Sequence, residues 1–95
     1  MALPEARVMF VTGGSRGIGA GIVQGAVAAG WDVAFTYRTR EAEAQAVVER
    51  AKALRPDARC QAFRLDVRDS ADVERAADEV LEAFGTVHAV VLNAA

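Results

Sequence analysis

The chain has 95 residues, 53% of them apolar and 25% charged, with eleven basic and thirteen acidic side chains and a formal charge of −2. That length allows one domain, able to bury roughly 64% of the surface its unfolded form exposes. The near-neutral balance, with no long run of either sign, excludes a nucleic-acid partner held by a basic face, and no stretch nears the ~20 apolar residues that span a bilayer.

Cys60 is the single cysteine. Neither an intramolecular disulfide nor a thiolate metal cluster is available, and Cys60 reads as a small buried hydrophobe. The first seven residues hold Pro4 and Glu5 ahead of a short apolar run, Val8 to Val11, which is no secretory leader. The cytoplasm is the expected compartment, with no membrane partner and no metal.

Two kinds of apolar segment alternate along the chain. Arg7 to Thr12 is a β-branched and aromatic run suited to a buried strand. Ile18 to Ala29 carries a helical stripe of Ile18, Ile22, Ala26 and Ala29, with Gly30 as the residue just past the helix. Asp32 to Tyr37 is strand-like again. Glu41 to Leu54, rich in Ala, Glu and Arg and followed by Pro56, reads as a helix. Arg59 to Leu65 is a third strand. Ser70 is placed to cap a helix whose stripe is Val73, Ala77, Val80, Leu81 and Phe84, closed by Gly85. Val87 to Leu92 is a fourth strand. Alternation of this kind is the signature of a parallel α/β sheet built from right-handed crossovers, with helices on both faces and ligands beyond the carboxyl ends of the strands.

Between the first strand and the first helix stands Thr12-Gly-Gly-Ser-Arg-Gly-Ile-Gly19, with Gly13, Gly17 and Gly19 in the spacing G-x-x-x-G-x-G. Glycines let a backbone turn tightly and approach a pyrophosphate, which then rests on a helix N-terminus where free N–H groups point outward. A P-loop is excluded, because Ala20 and Gly21 stand where Lys and Ser or Thr are needed. The G-x-G-x-x-G fingerprint fails at Ile22. Gly17, Gly21 and Gly25 recur at every fourth residue, which suggests a helix face packed close to the sheet. Phosphate binding is the favoured reading; a purely structural turn is its competitor.

In dinucleotide folds an acidic residue at the end of the second strand holds the ribose 2′-hydroxyl, and a basic one accommodates a 2′-phosphate. Asp32 lies at the wrong end of that strand. Tyr37, Arg38, Thr39 and Arg40 follow it, and Arg16 lies in the glycine loop. Two guanidiniums converging on one corner favour a doubly charged phosphate, so NADPH is expected over NADH. The competing view makes Arg38 and Arg40 solvated loop charges.

With the glycine loop, Asp66-Val67 after the third strand and Leu92-Asn-Ala-Ala95 after the fourth, the chain resembles the short-chain dehydrogenases/reductases over essentially its whole length. The loop and Phe84-Gly85-x-Val87 look most like the bacterial 3-oxoacyl-(acyl-carrier-protein) reductases of fatty acid biosynthesis; sugar, steroid and polyketide reductases share the same half. The resemblance implies a three-layer Rossmann-type, doubly wound parallel sheet in the order 3-2-1-4. Residues 1–95 would be the first, NADP(H)-binding half of a single domain. It implies that the backbone of Gly13, Ser15, Arg16, Gly17, Ile18 and Gly19 lines the pyrophosphate and adenosine side, and that Arg16 and Arg38 hold the 2′-phosphate. Asp66 would accept from the adenine amino group with Val67 against the ring, and Asn93, Ala94 and Ala95 would pass beside the nicotinamide ribose. A bland role for Asp66 is a turn carboxylate, and for His88 a strand-edge residue. Leu92 and Ala95 depart from the family's Asn-Asn-Ala-Gly and are expected to weaken binding or shift the fourth strand.

The chemistry implied is reduction of a carbonyl, on a small molecule or an acyl carrier, using a serine, a tyrosine and a lysine four residues after the tyrosine. Tyr37 and Lys52 are the single tyrosine and lysine, and Glu41 stands four after Tyr37. No catalytic residue is assigned, and the chain alone is expected to be inactive. The remainder is expected as a separate chain or as a lost piece, completing a homo-oligomer, commonly a tetramer. A non-catalytic NADP(H)-binding fragment is the reading outside enzymes.

Overall fold

The computed structural model describes residues 6–93. Its elements in chain order are β1 (Val8–Thr12), α1 (Gly17–Ala28), β2 (Asp32–Tyr37), α2 (Glu41–Leu54), β3 (Cys60–Arg64), α3 (Ser70–Phe84) and β4 (Ala89–Leu92). The strands form one sheet in the order β3-β2-β1-β4 with every neighbouring pair parallel, as the sequence leads one to expect. The strands are shorter than expected: Arg7, Arg59, Leu65, Val87 and His88 lie just outside them.

Parallel strands with short crossovers bury both faces of the central strand. Val33, Ala34 and Phe35 of β2 are accordingly fully inaccessible. Side chains alternate across a strand, so Val33 and Phe35 face one layer and Ala34 the other. On the first face they join Val11 with Val23 and Val27 of α1 and Val47 and Ala51 of α2. On the second, Ala34 joins Val8, Phe63, and Val80 and Phe84 of α3, where the Phe63 and Phe84 rings stack tilted at 6.3 Å. The result is three layers.

Two helices are rotated relative to the expected stripes. In α1 the buried residues are Gly19, Ala20, Val23, Ala26 and Val27, while Ile18 is 78% exposed and Ala29 also faces outward. The cause is Gly19. A Cβ built on it would overlap the Gly13 carbonyl oxygen and lie 2.6 Å from Asn93 Nδ2, so this position must face the loop, and the helix phase follows from it. Gly17, Gly21 and Gly25 are exposed and meet nothing within 4 Å. The close packing expected of them occurs instead at Gly14, against the Phe35 side chain, and at Gly19. In α3 the buried seam is Ala76, Val80 and Phe84; Val73, Ala77 and Leu81 are exposed. Asp69, not Ser70, caps this helix, its carboxylate accepting from the N–H groups of Ala71 and Asp72. Gly85 ends it at φ 82°.

Asp32 sits at the N-terminal end of β2, away from the edge where a ribose is held. It is buried, and it accepts from the Arg59 backbone N–H at 3.0 Å and from Arg59 Nε at 2.9 Å. Arg55 lies 3.4 Å from the same carboxylate and also donates to the Val27 and Trp31 carbonyls. A buried carboxylate is tolerated only when paired in this way. Cys60 is buried beside this cluster, and burial pushes its thiol up to about 11.

Because Gly21 and Gly25 lie on the open face of α1, alanine should act there through helix propensity alone. Gly21→Ala and Gly25→Ala are each expected to stabilise the chain by about 0.5–1 kcal/mol in urea unfolding; destabilisation would mean that this face is packed.

Candidate functional site

The carboxyl ends of parallel strands gather on one edge, and here they hold a groove of about 660 Å³. Gly13, Ser15, Arg16, Tyr37, Arg38, Asp66, Val67, Arg68 and Asn93 line it. The topology thus brings together glycine loop, β2 end, β3 end and β4 end, four segments that stand far apart in the chain.

The glycine loop is tied on both sides. Toward β2, the Gly13 N–H donates to Thr36 Oγ1 at 3.1 Å and the Gly14 N–H to the Thr36 carbonyl at 3.0 Å. Toward β4, Asn93 Nδ2 donates to the Gly13 carbonyl at 3.2 Å and the Asn93 N–H to Thr12 Oγ1 at 3.0 Å. Thr12 and Thr36 are buried hydroxyls at strand ends, and sequence reasoning passed over their part in the site. Their signal is a hydroxyl placed among apolar neighbours at or next to the last position of a strand.

The loop delivers the chain to α1 with Gly17 at φ 60°, a backbone state that favours glycine. The first turn of α1 has no side-chain cap and no acidic residue. The other two helices differ: α2 has Glu41 and Glu43 in its first turn, and α3 is capped by Asp69. The N–H groups at the start of α1 and its positive dipole end are therefore not met by a side chain of the helix itself.

Four guanidiniums rim the groove. Arg40 pairs with Glu43 at 3.3 Å and Arg68 with Asp66 at 3.0 Å. Arg16 and Arg38 have no ion pair among the described residues, and both are exposed. The hydrogen bonds from Arg68 hold the Asp66 carboxyl down to about 2, well below the usual carboxylate range. Val67 is exposed beside it. Ala94 and Ala95 lie outside the described residues.

This arrangement has counterparts. The short chain dehydrogenase family model matches residues 7–95. The chain belongs to the short-chain dehydrogenases. Among curated members it is 38% identical over 86 residues to the 3-oxoacyl-(acyl-carrier-protein) reductase FabG of Aggregatibacter actinomycetemcomitans, covering 90% of this chain and 35% of that one. It is 34% identical to the L-rhamnose 1-dehydrogenase (NADP(+)) of Thermoplasma acidophilum, covering 88% of this chain and 32% of that one. A solved short-chain dehydrogenase/reductase of Sinorhizobium meliloti 1021 matches with a TM-score of 0.89 and 33% identity, over 100% of this chain and 42% of that one. A 3-oxoacyl-(acyl-carrier protein) reductase of Brucella melitensis, solved in complex with NAD, matches with a TM-score of 0.85 and 34% identity, over 97% of this chain and 34% of that one. The chain spans about a third of the length of the curated relatives it matches.

β4 pairs with β1 in parallel through to Thr12 and Leu92. The Leu92 side chain is 83% exposed. His88 is a strand-edge residue: its Nδ1 accepts from the Val8 N–H at 2.9 Å. Tyr37 lines the groove, whereas Lys52 lies in the last turn of α2, about 16 Å of helix rise beyond Glu41. Among the described residues no helix is long and apolar enough to cross a membrane.

Adding one methyl at Gly19 should spread the loop from α1. Gly19→Ala is expected to cost about 2 kcal/mol in urea unfolding. An unchanged midpoint would show that the loop is not held against the helix.

Proposed function

We propose that residues 1–95 are the NADP(H)-binding part of a short-chain oxidoreductase that reduces a carbonyl, with a 3-oxoacyl thioester as substrate. The observation that carries the cofactor choice is the charge distribution at the groove. Two of its four arginines are neutralised by carboxylates of the chain; the other two are Arg16, which immediately precedes the uncapped start of α1, and Arg38, which lines the same groove. Two guanidiniums free of salt bridges suit a doubly charged phosphate.

The fit to the rest of a dinucleotide follows from the same edge. The backbone of Gly13, Ser15, Arg16, Gly17, Ile18 and Gly19 takes the pyrophosphate and adenosine side, where no Cβ at Gly17 intrudes. Arg16 and Arg38 hold the 2′-phosphate. Asp66, ionised at any working pH, accepts from the adenine amino group, and Val67 lies against the ring. Asn93, with Ala94 and Ala95 beyond the described residues, borders the nicotinamide ribose. When bound, such a cofactor supplies hydride to a carbonyl carbon. The proton for the carbonyl oxygen needs a general acid tuned by a nearby cation, and the 95 residues contain no tyrosine and lysine in that spacing. That role therefore falls to residues beyond these 95, in a complete enzyme that assembles as a homo-oligomer in the cytoplasm. The 3-oxoacyl substrate rests on the likeness to reductases of that name.

Titrating the chain with NADPH and with NADH tests the assignment. NADPH is expected to bind at least tenfold more tightly. Arg38→Ala is expected to raise the NADPH dissociation constant by roughly tenfold and that for NADH by less than twofold, the worth of one charge-assisted contact. Equal losses for the two cofactors would contradict the 2′-phosphate assignment.

A further inference from the structure

The carboxylate of Asp66 is held from three directions by one residue. Arg68 donates to Oδ1 from its backbone N–H at 3.0 Å and from Nε at 3.0 Å, and to Oδ2 from Nη2 at 3.1 Å. The Asp66 backbone is fixed separately. Its N–H donates to Asp72 Oδ2 at 2.7 Å, Arg75 Nε holds Asp72 at 2.9 Å, and Arg75 Nη2 donates to the Arg64 carbonyl at 2.7 Å. Main chain and side chain of Asp66 are thus anchored by different partners.

The Asp66–Arg68 pair does little for stability. The Arg68 side chain is 66% exposed, and exposed pairs contribute little in water. Its geometry does more. An ionised carboxylate has about four acceptor sites; Arg68 takes both on Oδ1 and one on Oδ2, which leaves a single acceptor on Oδ2.

We propose that Arg68 is a positioning residue for purine selection: by chelating Asp66 it presents one fixed Oδ2 acceptor to the groove, which selects a 6-amino purine over a 6-oxo purine. The proposal rests on reading the groove as a dinucleotide site. An acceptor-only group bonds an amino hydrogen and repels a carbonyl oxygen, so discrimination requires that Asp66 stay ionised and stay aimed. A carboxyl is ionised at neutral pH with or without Arg68; what Arg68 secures is the aim, through its three hydrogen bonds. Lysine cannot replace it, because an ammonium lacks the planar fork that grips both oxygens.

The test compares dissociation constants of the full chain for NADPH and for its analogue with hypoxanthine in place of adenine. The chain should prefer the adenine form by roughly tenfold, the worth of one hydrogen bond to a charged group. Arg68→Ala and Arg68→Lys should each cut that preference at least threefold and leave the NADPH-to-NADH ratio unchanged. Full preference retained in both variants would overturn the role of Arg68. Asp66→Ala, which leaves no acceptor at that position, separates this from the underlying reading: if the preference survives there while NADPH still binds, Asp66 does not face the purine. Failure of the chain to bind NADPH at all would remove the dinucleotide reading itself.

Discussion

Two threonine hydroxyls and one asparagine side chain hold the glycine loop in place, and the geometry of the whole carboxyl edge depends on them. Thr36 takes the Gly13 N–H from the β2 side, Asn93 takes the Gly13 carbonyl from the β4 side, and Thr12 receives the Asn93 N–H. These bonds bring β1, β2 and β4 to one point. With Gly13 fixed on both sides, its carbonyl leaves room only for a glycine at position 19, and that contact sets the rotation of α1. The helix then buries Val23 and Val27 against the sheet and leaves its uncapped first turn at the groove. A backbone clamp of this kind costs little, since each donor or acceptor would otherwise be buried without a partner.

Charge is segregated along the strands in a way that fits this division of labour. At the amino edge, Asp32 is neutralised by Arg55 and Arg59, and Arg59 also lies over the Phe84 ring. That cluster ties β2, the α2–β3 connection and α3 together. At the carboxyl edge, Arg16 and Arg38 form no salt bridge among the described residues, although Arg38 lies near enough to Asp66 to favour its ionised form. The guanidiniums of Arg16 and Arg38, without a salt bridge among the described residues, thus stand at the edge of the sheet opposite the Asp32 cluster.

The alternation of strand and helix was legible because each segment has its own period and its own stop signal: Gly30 after α1, Pro56 after α2, Gly85 after α3. The four segments around the groove could be named because a parallel topology sends every strand end to the same edge. What the sequence concealed were matters of phase and of partner. Hydrophobicity alone puts Ile18 inward, but the steric demand at Gly19 turns it out. Ser70 has the right chemistry for a cap, yet Asp69 stands one residue earlier with a carboxylate that reaches two N–H groups. Arg68 passes for a loop charge until the fold shows it gripping Asp66, and Thr36 passes for an ordinary strand residue until the glycine loop is laid across it. Local pattern carries no information about contacts between residues 23 or 80 positions apart.

The central claim is that the carboxyl edge of this sheet is a dinucleotide groove. Amide chemical shifts of the isotope-labelled chain, followed during titration with oxidised NADP, test it most directly. The account predicts saturable shifts at residues 13–19, at Arg38 and across residues 66–68, with Asp32, Arg55 and Arg59 at the opposite edge unmoved. Shifts centred on that opposite edge, or a glycine loop that does not respond, would contradict it.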